Sequence, residues 1–313
     1  MAKLLALFPG QGAQVVGMSK ALADASPAAR EVFRKADEVL GFSLSRTCFE
    51  GPQEALNQTD TSQPAIYVHS CAVLAACAER GKPLQAHAAA GLSLGEYTAV
   101  HFAGGFSFED GLRLVRRRGE LMQKACDLVP GAMATVLGLD AEKLAQAVKE
   151  GSSKGVIVLA NFLAAGQIAI SGATAAVAAA CVHAKELGAT KCVPLPVAGA
   201  FHSPLMEPAA AELRRELEGC AVRDPGIPVL ANVTGKPVAS AAAIRDCLGR
   251  QITAPVLWEA TMKQALADGY DTFVELGPGR TLTGIVRKMD RNVKALSAQD
   301  PDSVAAMCGE LGR

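Results

Sequence analysis

The sequence predicts an α/β protein: a large domain on a mostly parallel sheet, covering residues 1–126 and 200–313, interrupted by a small ferredoxin-like subdomain at 127–199. Three observations predict it. Short apolar runs bounded by glycine and proline alternate with segments of helical spacing in the first and last thirds of the chain. The middle switches to a strand–helix–strand–strand–helix–strand order, the pattern of a split βαβ unit. With 313 residues, of which 50% are apolar, the chain is also long enough to bury a full core.

Residues 4–8 form the first apolar run, a buried strand stopped by Pro9-Gly10, which opens the loop Pro9-Gly10-Gln11-Gly12-Ala13-Gln14. Segments 19–40 and 61–80 have helical spacing, the second rich in Ala and Leu. Residues 86–90 read as a second buried strand that runs into Gly91-Leu92-Ser93-Leu94-Gly95 and then a helix. Beyond Cys126, strands are expected at 131–138, 156–160, 167–172 and 191–195, with helices at 140–150 and 173–188 between them. After His202 come a helix at 204–218, a strand at 228–233, helices at 240–250 and 257–268, and a strand at 272–275 that leads into Leu276-Gly277-Pro278-Gly279.

Lys+Arg and Asp+Glu both number 31, so no whole-molecule field favours nucleic acid or a membrane surface. No run of about 18 apolar residues marks a membrane span. The nine cysteines are odd in number, scattered, and never in a Cys-x-x-Cys pair, which argues against a disulfide frame or a zinc site and for a reducing compartment. No targeting peptide is visible at the N-terminus.

Gly91-Leu92-Ser93-Leu94-Gly95 matches Gly-x-Ser-x-Gly, in which a serine sits on a strained turn between strand and helix; this makes the large domain hydrolase-like. The bare pattern equally fits a glycine-flanked surface turn, and the apolar run before it and helix after it favour the nucleophile. A serine needs a base. Of five histidines, His69, His87, His101 and His183 read as core or surface residues. His202 instead lies in Gly199-Ala200-Phe201-His202-Ser203-Pro204, a loop entering a helix, where function concentrates. Gln11, or its backbone, is placed to donate to an oxyanion, although Pro9–Gly12 also reads as a simple turn. No phosphate loop or dinucleotide fingerprint is present.

Together these residues resemble the malonyl-CoA:acyl-carrier-protein transacylase family over nearly the whole chain. Five motifs occur in the family's order: Phe8-Pro9-Gly10-Gln11-Gly12-Ala13-Gln14, Gly91–Tyr97, Arg118-Gly119-Glu120-Leu121-Met122-Gln123, Gly199–Ser203 and Glu275–Gly279. The resemblance implies transfer of malonyl from malonyl-CoA to the phosphopantetheine thiol of acyl carrier protein by a ping-pong route through a malonyl-serine, with no cofactor and no metal. It implies a Ser-His dyad of Ser93 and His202, an oxyanion hole from the backbone amides of Gln11 and Leu94, and a main-chain carbonyl of Gln251 orienting the histidine. Arg118 would clamp the malonyl carboxylate, a role suited to a guanidinium fork; composition alone would leave it on a solvated helix face. Met122, Phe201 and Asn161 complete the expected substrate contacts, with the Phe201 ring narrowing the pocket against branched acyl groups.

The chain departs from the family at Leu92, where many bacterial relatives have His, and at Leu163, the second position of an Asn-x-Asn pattern. Leu92 and the wording of residues 63–68 point to the plastid branch, so the plastid stroma is the expected location and the bacterial cytoplasm the alternative. The expected partners are malonyl-CoA and acyl carrier protein, with no nucleic acid and no membrane, and the chain is expected to be a monomer. Lys191, Arg214, Arg287 and Lys288 are candidates for a basic docking face. The competing function is an α/β-hydrolase-type serine esterase or thioesterase with an acid such as Asp140 or Glu186 between Ser93 and His202 in the chain.

Overall fold

The computed structural model describes residues 2–312. The chain opens with β1 (Leu4–Phe8), then α1 (Lys20–Ala25), α2 (Pro27–Leu40), α3 (Leu44–Glu50), α4 (Gln53–Asn57) and the long α5 (Thr59–Glu79). β2 (Ala88–Gly91) delivers it to α6 (Leu94–Phe102) and α7 (Phe108–Leu128). A middle block follows: β3 (Gly131–Leu137), α8 (Ala141–Gly151), β4 (Ile157–Ala164), β5 (Gln167–Ala173), α9 (Thr174–Glu186) and β6 (Lys191–Pro194). The remainder is α10 (Glu207–Gly219), β7 (Val229–Leu230), β8 (Pro237–Val238), α11 (Ala241–Gln251), α12 (Trp258–Ala267), β9 (Thr272–Leu276), α13 (Thr281–Met289), β10 (Lys294–Ala298) and α14 (Pro301–Leu311).

One sheet has six strands in the order β10-β9-β1-β2-β7-β8, parallel throughout except for the β7–β8 edge pair. Its central strands β1, β2 and β9 are buried at every residue, as strands covered by helices on both faces must be. This is why they read as unbroken apolar runs. The second sheet has four antiparallel strands in the order β4-β5-β3-β6, with α8 and α9 packed together and against it, the ferredoxin-like arrangement. Backbone hydrogen bonds from Phe162 N to Val256 O and from Val256 N to Ala160 O tie β4 to the segment that follows α11.

The helices that carry the site are locked by specific features. Pro64 lies inside α5 and has no N–H, so the carbonyl of Asp60 loses its helical donor. Arg116 of α7 supplies a replacement, with Nη1 2.7 Å from Asp60 O. One turn along, a side chain on Gly119 would come within 2.7 Å of Asp60 Cα and Thr59 O, so α5 and α7 touch backbone to backbone there. That close approach brings Arg118 beside Gln63.

Several boundaries differ from expectation. The helix expected over 19–40 breaks at Ser26, whose side chain accepts from Ala29 N and caps a new helix starting at Pro27. The strand expected at 228–233 ends at Leu230, because Asn232 turns away to bind the Gly91–Leu94 turn. His87 stands just before β2 rather than in it, its Nδ1 accepting from Leu4 N at 3.0 Å. Replacing Gly119 by Ala should force α5 and α7 apart and lower stability by about 1–3 kcal/mol. A urea midpoint equal to that of the parent chain would show that this contact carries no strain.

Candidate active site

The turn between β2 and α6 is as tight as its glycines suggest. A Cβ on Gly91 would lie 1.9 Å from Gly95 C, and one on Gly95 would lie 2.1 Å from Phe8 O, so no larger residue fits at either place. Ser93 is forced to φ 51°, ψ −103°, a conformation that costs a non-glycine residue about 1–3 kcal/mol and must be held from outside. Asn232 holds it. Its Oδ1 accepts from Ser93 N and its Nδ2 donates to Gly91 O, both at 2.7 Å, so one side chain bridges the turn.

Ser93 Oγ lies 2.8 Å from His202 Nε2. His202 is buried in a left-handed turn (φ 57°), and its Nδ1 lies 2.9 Å from the main-chain oxygen of Gln251. A carbonyl only accepts, so Nδ1 carries the proton and Nε2 is left free to accept from the serine hydroxyl. Burial, and after it the charge of Arg118, lower the His202 pKa from 6.5 to about 4, which keeps the ring neutral near neutral pH.

Arg118 is 1% exposed, not on a solvated face. Its Nη1 donates to Gln63 Oε1 at 2.6 Å, and its Nη2 donates at 3.0 Å to both Ser93 Oγ and the Gln251 side-chain oxygen. The guanidinium lies 5.4 Å from the centre of the Tyr97 ring, and its Nε has no hydrogen-bond partner among the described residues. No carboxylate among the described residues forms an ion pair with it within 4.0 Å. A buried cation with a donor to spare, next to a serine hydroxyl, is a receptor for an anionic group.

The Gln251 side chain joins the two halves of the site, its Nε2 donating to Ser93 O at 2.8 Å and to Glu96 Oε2 at 2.5 Å. Burial pushes Glu96 up to about 7, while its bonds from Gln251 and Asn232 and the nearby Arg118 act in the opposite direction. Gln63, Glu96 and Asn232 are the polar residues of this cluster that sequence reasoning assigned no role. Each is a polar residue at a fully buried position, which is the signal that could have drawn notice once burial was known.

Met122 is buried beside Gln63, whose Nε2 lies 3.4 Å from its sulfur. Phe201 is buried next to His202. The amides of Gln11 and Leu94 donate to no other group among the described residues and stay available. Asn161 is not bonded to this cluster: it pairs with Val256 as a single bridge, and its Oδ1 is buried without a partner. Leu92 and Leu163 pack against the same apolar cluster, which includes Leu5, Val256 and Trp258, so the two departures share one surrounding. The acids that a hydrolase triad would require are elsewhere: Asp140 caps α8 by accepting from Lys143 N, and Glu186 pairs with His183.

Comparison with known proteins gives a consistent result. Residues 6–313 match the acyl transferase domain family. The chain is 43% identical over 305 residues to a malonyl CoA-acyl carrier protein transacylase of Bacillus subtilis (strain 168), covering 97% of this chain and 96% of that protein. Among solved structures it is similar to an acyl carrier protein S-malonyltransferase from Vibrio cholerae, at 38% identity and a TM-score of 0.93, covering 98% of this chain and all of that one. It is also similar to a malonyl-transacylase solved in complex with its type II PKS acyl-carrier protein, at 38% identity and a TM-score of 0.94, covering 99% and 100% of the two chains.

A small uncharged sulfonyl fluoride reports the reactivity of the serine without a substrate carboxylate. Because the His202 pKa is lowered, the base is lost only when the pH falls through its folded value. The inactivation rate should stay level through pH 6.5 and halve near about 4; a half-point near 6.5 would mean that burial and Arg118 do not act on the imidazole.

Proposed function

We infer how the site works from one premise: the chain belongs to the acyl transferase domain family and, within it, to the malonyl CoA-acyl carrier protein transacylases. It transfers the malonyl group from malonyl-CoA to acyl carrier protein, supplying fatty acid synthesis. The observation that carries the division of roles is a single oxygen, Ser93 Oγ, placed between a neutral imidazole acceptor and a buried guanidinium.

In this reading Ser93 Oγ attacks the thioester carbonyl while its proton passes to His202 Nε2. The Gln251 carbonyl, already accepting from Nδ1–H, favours the imidazolium that forms and replaces the acid of a triad. The amides of Gln11 and Leu94, the second at the positive end of α6, receive the oxyanion. The carbon–sulfur bond breaks, the thiolate of coenzyme A takes the proton from His202, and malonyl remains as an ester on Ser93. The pantetheine thiol of the carrier protein then gives its proton to His202 and attacks that ester, which restores the serine hydroxyl.

Arg118 supplies the selectivity. A malonyl carboxylate gives the buried guanidinium its missing counter-charge, whereas an acetyl group leaves it unpaired. Met122 and Phe201 close the acyl pocket. Asn161 lies outside the bonded cluster, and its unpaired oxygen suits a contact to the coenzyme arm. Of the basic residues considered for carrier docking, Arg214 is tied to Glu207 and Arg287 donates to the carbonyl of Ala295, which leaves Lys191 and Lys288 as the exposed pair whose side chains have neither an ionic partner nor a hydrogen bond among the described residues.

The relatives named above are bacterial where their source is given, which supports the bacterial cytoplasm over the plastid stroma.

Intact-protein mass spectrometry after mixing with malonyl-CoA, without carrier protein, should find a malonyl adduct on Ser93. Arg118→Ala should slow its formation by roughly 30- to 1,000-fold, corresponding to about 2–4 kcal/mol, and leave acetylation by acetyl-CoA undiminished. An adduct indifferent to Arg118 would remove the clamp, and no adduct would remove the covalent route.

A further inference from the structure

We propose that Glu96 is a positioning residue for malonyl transfer: its carboxylate fixes which way the Gln251 amide faces, and through that amide it aims the guanidinium of Arg118. The proposal rests on the roles of Ser93 and Arg118 given above. Glu96 is 2% exposed, sits three residues beyond the serine in the first turn of α6, and touches none of the reacting atoms. Both its oxygens accept: Oε2 from Gln251 Nε2 at 2.5 Å and Oε1 from Asn232 N at 3.3 Å. With the amide nitrogen of Gln251 drawn to Glu96 and to Ser93 O, its oxygen must face Arg118 Nη2, 3.0 Å away. That oxygen and Gln63 Oε1 hold the two ends of the guanidinium beside Ser93 Oγ.

Above a pH of about 7, where Glu96 is ionised, it is a buried acceptor with no donor of its own, and in that form it fixes the orientation of Gln251. A glutamine at position 96 has one oxygen for two incoming donors. Its NH2 must face either Asn232 N or Gln251 Nε2. The clash is relieved by flipping the Gln251 side chain, which turns an NH2 group toward Arg118 and displaces the guanidinium. The main-chain oxygen of Gln251, which orients His202, need not move. Loss of Glu96 should thus impair the clamp more than the serine–histidine pair, a separation that a general loosening of the fold would not produce.

The test is single-turnover acylation of Ser93 by malonyl-CoA and by acetyl-CoA at about pH 8, where Glu96 is ionised, followed by rapid quench and intact mass, for the parent chain, Glu96→Gln and Glu96→Asp. Glu96→Gln should lose at least roughly ten-fold in malonylation and less than about three-fold in acetylation, corresponding to about 1.4 and 0.6 kcal/mol. Glu96→Asp keeps an acceptor-only carboxylate and should show the same split at smaller size, which preserves the test if the amide variant does not fold. An equal fall for both acyl groups, or no fall in a folded variant, would overturn the positioning role. Failure of the parent chain to be acylated would instead overturn the assigned reaction, so the two failures are distinguishable.

Discussion

The site is organised around the burial of one positive charge. Desolvating a guanidinium is unfavourable unless its hydrogen bonds are met and its charge is answered. Arg118 has its bonds largely met by Gln63, Gln251 and Ser93, while no carboxylate among the described residues is in ion-pair contact with it. The charge is met indirectly, by the Tyr97 ring 5.4 Å away and by Glu96 across the amide of Gln251. In the proposed mechanism the protein thus maintains a cation whose best partner comes with the substrate. The same charge acts together with burial to keep His202 unprotonated, so in the proposed mechanism the group that selects the acyl chain also keeps the base ready.

A second consequence concerns the missing acid. In a hydrolase triad a carboxylate orients the histidine and answers its charge. Here a carboxylate next to His202 would also lie close to Arg118 and compete with the substrate for it. A main-chain carbonyl at 2.9 Å orients the ring equally well and carries no net charge. Glu96, the one acid of the cluster among the described residues, is held on the far side of Gln251, from where, as proposed above, it would act on Arg118 through an amide and not by direct pairing. Coordination by Gln251, carbonyl on one partner and side chain on three others, explains how a single residue at the end of α11 couples the base to the clamp.

What could be read from the sequence follows from which interactions are local. β1 and β2 were legible because central parallel strands need unbroken apolar runs, and the elbow was legible because sterics demand glycines around Ser93. The middle block was legible from its alternation of strand and helix patterns. Residues 280–312 contain α13, β10 and α14, to which the sequence reading assigned no element; β10 and α14 are short and half-exposed, whereas α13, with Leu282, Ile285 and Val286 buried on one face, carries a helical spacing that was open to reading. Arg118 shows the limit most clearly: among the charged residues of α7 it looks solvated, and only its motif marked it. Asn232 left no local trace, and Glu96, although inside the Gly91–Tyr97 motif, carried no sign of its role, since their partners lie up to 155 residues away in the chain. Leu92 and Leu163, read as separate departures, turn out to pack against one shared cluster.

The most direct test of a buried cation awaiting a substrate carboxylate is calorimetric titration of a Ser93→Ala variant, which cannot be acylated, with malonyl-CoA and acetyl-CoA. The account predicts tighter binding of malonyl-CoA, by at least about 1.4 kcal/mol or ten-fold, and loss of that preference when Arg118→Ala is added. Equal affinities for the two thioesters in Ser93→Ala would contradict it, because the guanidinium would then be satisfied by the protein alone.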